Sequence, residues 1–194
     1  MTTIQERIYP GNGQPMELHQ LQVAYNQEQD RLVMRATFRN EQKALHEVRA
    51  WLTRRILIRL WPGILRALET KITLEQPQAQ HAKREIVGMA HEASINDNVR
   101  RGGFAAKFEE TAQEYPLGTD PLLVTTANFH LKANQPVRIE FIDVAGKRFE
   151  IAFSDRVLHG FCKLLQDAAS KAQWEVSLAM PGMTDVQPAS TTLN

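Results

Sequence analysis

The sequence predicts an α+β fold: an antiparallel β-meander or small sandwich with an inserted helical region and a C-terminal amphipathic helix. Three observations predict it. Apolar and polar residues alternate in six short runs, the period of half-buried strands. Two longer segments, Ile56 to Leu68 and Val157 to Ala172, switch to helical spacing. No regular alternation of strand and helix accompanies them, so nothing calls for a parallel sheet wrapped by helices. A length of 194 residues suits one domain with a core of its own.

Taken in order, residues 1–15 carry Pro10, Gly11, Gly13 and Pro15 with no apolar period, and are expected to be a flexible N-terminus. A single domain is expected over 16–176, divided into a βββα block at 16–70, a helical middle at 77–115 and a second βββα block at 121–175. In the first block Leu21, Val23 and Tyr25 alternate, residues 27–30 (QEQD) supply turn chemistry, and Leu32, Met34, Ala36 and Phe38 alternate again. A short strand follows at 47–52, and Thr53 stands where a helix N-cap belongs. Ile56, Leu57, Leu60, Trp61, Ile64, Leu65 and Leu68 then form one apolar face. Pro62-Gly63 interrupts that face and is expected to kink or split the helix, because proline removes a backbone hydrogen bond.

The middle helix, from residue 78 to about 99, presents a narrow stripe of Ala79, Ala82, Ile86, Met89, Ala90 and Ala93 that suits close helix approach. Arg100-Arg101-Gly102-Gly103 reads as its C-cap. In the last third, runs centred on Val124, Ile139 and Ile151 form a three-strand meander turned at Asn134-Gln135-Pro136 and Val144-Ala145-Gly146-Lys147. Ser154 caps a final helix whose first turn holds Asp155, a favourable charge at the positive end of the helix dipole. Val157, Leu158, Phe161, Leu164, Leu165, Ala168 and Ala172 share one face of it. Residues 177–194, with two prolines and many small polar side chains, are expected to be a disordered tail.

Composition excludes several functions. With 23 basic and 22 acidic residues the chain is no basic nucleic-acid coat. Its one cysteine, Cys162, excludes a disulfide scaffold and a multi-cysteine metal site; a buried, inert thiol is expected. No apolar run nears the ~18 residues that cross a bilayer, and the N-terminus has no secretory pattern, so a soluble, cytoplasmic protein is expected. The six histidines are scattered, and His81 and His91 fall on different sides of a helical wheel, so neither a metal site nor a cofactor is expected. No nucleophile, base and oxyanion donor come together by spacing, and no catalytic residue is named.

One place breaks a local rule. Thr53-Arg54-Arg55 puts two arginines in the first turn of a helix, where an acid would be favoured by about 0.3–1 kcal/mol. Arg55, Arg59 and Arg66 fall within about 40° of one another on the wheel, opposite the apolar face. Residues 47–71 hold Arg49, Arg54, Arg55, Arg59, Arg66 and Lys71 against Glu47 and Glu69, a balance of +4 in a chain whose total is +1. Free backbone N–H groups and guanidinium forks of this kind suit phosphate or another anion. The alternative is internal: these arginines pair with Glu41, Glu47 or Glu69. Trp51, on a strand face with Arg49, is expected to be partly exposed, a setting common in interfaces.

The stretch EVRAWLTRRILIRLWPGIL resembles a family of uncharacterised bacterial proteins with a similar Glu-x-Arg-x-Trp-Leu-Thr-Arg-Arg segment, for which no function is implied. The element order over residues 16–175 is similar to the head domains of eukaryotic end-joining scaffolds and centriole cartwheel proteins. That resemblance implies a small β-sandwich, an inserted helical pair and a dimerising C-terminal helix, without a diagnostic motif.

The leading expectation is therefore a non-enzymatic interaction or scaffold module. It would form a homodimer through the last helix (Phe161, Leu164, Leu165, Ala168) or through the small-residue middle helix, with Trp51 a further interface candidate. The alternative is an anion- or nucleic-acid-binding protein using Thr53, Arg54, Arg55, Arg49, Arg59 and Arg66. A third reading is an enzyme acting on an anionic small molecule near those arginines. Whether Arg54 and Arg55 meet solvent or carboxylates of their own chain separates these readings.

Overall fold

The computed structural model describes residues 7–11, 15–100, 108, 112 and 114–182. The chain is α+β. Seven strands close into a barrel in sequence order: β1 (Arg7–Pro10), β2 (Met16–Asn26), β3 (Arg31–Arg39), β4 (Leu45–Leu52), β5 (Leu122–His130), β6 (Val137–Asp143) and β7 (Arg148–Phe153). Three α-helices accompany them: α1 (Arg54–Glu75), α2 (Lys83–Arg100), which a short 3-10 helix at Pro77–Ala82 joins to α1, and α3 (Asp155–Lys171).

Alternation sets the barrel interior. Leu32, Met34, Ala36 and Phe38 of β3 stand opposite Leu52, Ala50, Val48 and His46 of β4. Val137, Ile139 and Phe141 of β6 stand opposite Phe153, Ile151 and Phe149 of β7. All of these are buried. A bulge between Val124 and Thr126 shifts the inward parity of β5, so that Ala127 and Phe129 face the interior beyond it. In the β6–β7 hairpin the Asp143 carboxylate accepts from the Ala145 and Lys147 amides, and Gly146 supplies the φ of +80° that the turn requires.

Closure rests on two features absent from the sequence pattern. Arg7–Pro10, expected to belong to a loose end, is a strand that pairs with β7 and with the start of β2, and Ile8 is completely buried between them. The predicted antiparallel meander is thus closed into a barrel by a strand drawn from the expected loose end. Its other join, β4 to β5, is parallel, at Ala50↔Leu122 and Trp51↔Leu123. Only a long crossover can join parallel strands, and the helical insert provides it.

Three further expectations are corrected. First, α1 runs unbroken through Pro62. The carbonyl left without its helix partner belongs to Ile58, on the 53% exposed outer side of α1 where solvent can reach it, so the proline does not split the helix. Second, the face that α2 buries is Val87, Gly88 and His91 rather than the small-residue stripe, whose Met89 is 63% exposed. The stripe's expected C-cap at Arg101–Gly103 lies outside the described residues. Third, part of the expected tail is packed. Met180 is buried and the Ala179 carbonyl accepts from Trp61 Nε1 at 3.3 Å, while Trp174, just ahead of the expected tail, is buried and donates to Asp30 Oδ1 at 2.9 Å. The Pro181 carbonyl oxygen lies where a Cβ on Gly88 would come within 2.4 Å, so glycine is what lets this segment cross α2. Among the described residues no helix is long and apolar enough to cross a membrane.

Candidate functional site

The parallel join of β4 to β5 brings the start of α1 alongside the start of β5. Thr53 Oγ1 caps α1 by accepting from the Ile56 amide at 3.3 Å, as its position predicts. The inner face of α1, including Ile56, Leu57, Leu60, Trp61, Ile64, Ala67 and Leu68, enters the core. Its outer face carries Arg54, Arg55, Ile58, Arg59, Pro62 and Arg66, all exposed. A hollow of about 280 Å³ lies between Thr53, Arg55, Ile56 and Arg59 on one side and Leu123, Val124 and Thr125 on the other.

The basic segment splits into two unlike parts. Arg49 projects from the outer surface of β4 and belongs to an internal network. Arg35 Nε and Arg49 Nε donate to the same oxygen of Glu47, at 2.6 and 2.7 Å, and the Glu47 side chain is completely buried. Arg49 also donates to the Tyr115 hydroxyl at 3.2 Å and lies over that ring, while Arg35 lies over Phe108. Burial by itself pushes the Glu47 carboxyl up, but the two arginines outweigh it and hold the group below its ordinary range. For Arg49, then, internal pairing is what the structure shows. Lys71 is likewise spent: it is buried and paired with Asp155 and Glu75.

Arg54, Arg55, Arg59 and Arg66 are different. Among the described residues none of the four has a carboxylate partner, and Arg54 donates only to the Glu175 carbonyl oxygen, at 3.4 Å. Glu69, a proposed partner, pairs with Lys83 at 3.2 Å and Arg84 at 3.9 Å instead. Elsewhere cations find acids readily: Arg138 pairs with Glu150, Arg148 with Glu140 and Lys163 with Asp167. Helical rise places Arg59 about 6 Å along the axis from Arg55, and Arg66 about 10 Å beyond Arg59. The result is a line of three guanidinium groups with a fourth at its head.

The residues expected to carry self-association have other positions. Phe161, Leu165 and Ala168 are buried in the chain's own core, so in this structure they offer no face to a second copy. Leu164 is half-buried in a second hollow, about 800 Å³, along the seam between β2 and α3. Among the described residues β1 pairs with β2 at Met16 and Glu17, at one end of this seam. Trp51 is half-buried. Cys162 is fully buried, and burial pushes its thiol up to about 12, far from reactivity. Sequence reasoning missed one grouping: His91 of α2 and His159 of α3 meet with ring centroids 5.4 Å apart, both buried. Nothing local signals it, because the two lie on separate helices. Among the described residues no three histidine, cysteine or acidic side chains converge as a metal site would require.

No family model, curated protein or solved structure matches the chain. Whatever the α1 face does has to be read from its own chemistry.

Proposed function

We propose that this protein is a binding module that engages a phosphate-bearing polyanion through the outer face of α1. One observation carries the reading. Four exposed arginines lie along one helix face without carboxylate partners among the described residues, in a molecule that pairs many of its other cations. Arginine forks match phosphate geometry, and Arg54 and Arg55 sit at the positive end of the α1 dipole, which also favours an anion. Thr53, Arg54, Arg55, Arg59 and Arg66 form the binding face. Arg49 is excluded from it, because its guanidinium is already committed to Glu47. Exposed Ile58 beside the line supplies apolar contact for a base or a ribose.

The test is fluorescence anisotropy with a labelled single-stranded oligonucleotide, with inorganic polyphosphate and poly-glutamate as competitors. Binding should weaken steeply with salt, and the log–log slope should fall by about 0.7 for each arginine removed. Arg55→Ala/Arg59→Ala/Arg66→Ala should lose more than tenfold, while Lys43→Ala, in the turn at the opposite end of β4, should bind as the parent does. An Arg54→Ala/Arg55→Ala variant with unchanged affinity and unchanged salt slope refutes the reading. Displacement by poly-glutamate as readily as by polyphosphate refutes the preference for phosphate.

A further inference from the structure

The seam between α2 and α3 holds two buried histidines, with Asn98 of α2 set against Gly160 of α3 farther along it. His91 is 4% exposed and His159 is 3% exposed, and their rings meet edge to face. The Nδ1 atoms of both are buried without a hydrogen-bond partner. Buried polar atoms are normally satisfied, so an unpartnered pair facing each other across one helix seam calls for an explanation. Besides His91, α2 buries only Val87 and Gly88. Its outer side is wet: Met89 and Val99 are both more than 60% exposed. Residues 181–182 rest on its first half, at Glu85 and Gly88, and its contact with α3 has a titratable group, His91, midway along the helix.

We infer that α2 is an acid-releasable element: protonation of His91 and His159 lifts it from α3 while the barrel stays folded. The charged groups around the pair favour this direction. Across the seam α3 presents Lys163, whose charge opposes protonation of His91, and α1 presents Lys71, whose charge opposes protonation of His159. Among the described residues, the acid whose charge acts on the pair, Asp155, is already bonded to Lys71, and Lys163 is bonded to Asp167. Glu92, next to His91 on α2, is exposed on the far side. A proton arriving on either ring therefore enters a seam whose cations have no free acid to balance it.

Burial first, then Lys163, holds His91 below its ordinary range. Burial first, then His91, holds His159 down to about 4, against the opposing pull of Asp155. Burial thus favours the neutral form of both rings while α2 is docked, and each regains ordinary basicity when it lifts into water. Docking is therefore intact above the ordinary histidine value near 6.5, and its stability is lost as pH falls from there toward 4. For His159 alone, the opening equilibrium should rise about 100-fold between pH 7 and pH 4. At its N-terminal end α2 stays tethered, because Lys83 and Arg84 pair with Glu69 and the 3-10 helix links it to α1.

Amide hydrogen exchange of the whole protein, corrected for intrinsic rates at each pH, tests this. Residues 86–98 should lose protection by about 100-fold or more between pH 7 and pH 4, while amides of β3, β4, β6 and β7 keep theirs. A His91→Leu/His159→Leu variant should show α2 protection that no longer follows pH. If that variant fails to fold, imidazole NMR of the unmodified chain decides: both rings must stay neutral at pH 6, where an exposed histidine is largely charged. Three results overturn the inference: α2 protection that ignores pH, loss of α2 and barrel protection at the same pH, or an imidazole that titrates near its ordinary value.

Discussion

Replacing Glu47 by alanine probes the outer surface of the barrel at its most committed point. The carboxylate is completely buried and accepts from Arg35 at 2.6 and 3.1 Å and from Arg49 at 2.7 Å. Its loss takes from two guanidinium groups, only 14% and 27% exposed, the carboxylate they share. Breaking a buried pair by removing one partner costs about 3–5 kcal/mol. The lower end applies, because each arginine is partly hydrated and keeps an aromatic ring, Phe108 or Tyr115. A loss of about 3 kcal/mol should lower the thermal midpoint by about 6–12 °C in a chain of this size. Glu47→Gln, which keeps one acceptor, should lose about half as much.

A pH series sharpens the same experiment. The folded carboxyl lies below its ordinary value of 4.5, so its contribution is fully present above that value and is lost as pH falls through the folded one. Below about pH 4.5 the unmodified protein should therefore lose stability more steeply than Glu47→Gln. A Glu47→Ala midpoint within 2 °C of the parent, or parallel acid profiles, would show that the two arginines gain nothing from this carboxylate. The comparison is to be made by thermal unfolding with two independent probes, which also checks two-state behaviour.

Two other substitutions follow from packing. Pro62→Ala restores a helix hydrogen bond that α1 lacks, and after the stiffening that proline gives the unfolded chain is subtracted, it should stabilise by about 1–2 kcal/mol. A lowered midpoint in a thermal scan would contradict the solvent-facing account of that proline. Gly88→Val places a side chain against the Pro181 carbonyl oxygen, 2.4 Å from where its Cβ must stand. It should cost about 1–3 kcal/mol and raise amide exchange of residues 177–182 with little change in the strands; unaltered exchange there would show that the segment does not rest on α2.

Short-range features were legible because their causes are local. Period-two alternation announced β2 through β7, Thr53 and Ser154 announced the starts of α1 and α3, and both caps accept the amide three residues on. The arginines that break the dipole rule could be read from helical spacing alone, since a wheel places Arg55, Arg59 and Arg66 together whatever else the chain does. Pro62 misled because proline's effect depends on whether the orphaned carbonyl meets water, and only packing decides that.

What tertiary structure alone decided was partnership. Four residues at Arg7–Pro10 are too few to show a period, yet they close the barrel because β7 and β2 offer them hydrogen bonds. Arg49 leaves the basic face because register places it beside Glu47 and Arg35, on the same outer surface of neighbouring strands. Phe161 and Leu165 are core rather than interface because the barrel wall is there to receive them. His91 and His159 meet only because α2 folds back on α3. The sequence by itself determined period, caps and the line of charge. Which of those charges stay free is settled by contacts: Glu47 is only two residues from Arg49 and could be named from the sequence, but Arg35 and Tyr115 join that pair only through the fold.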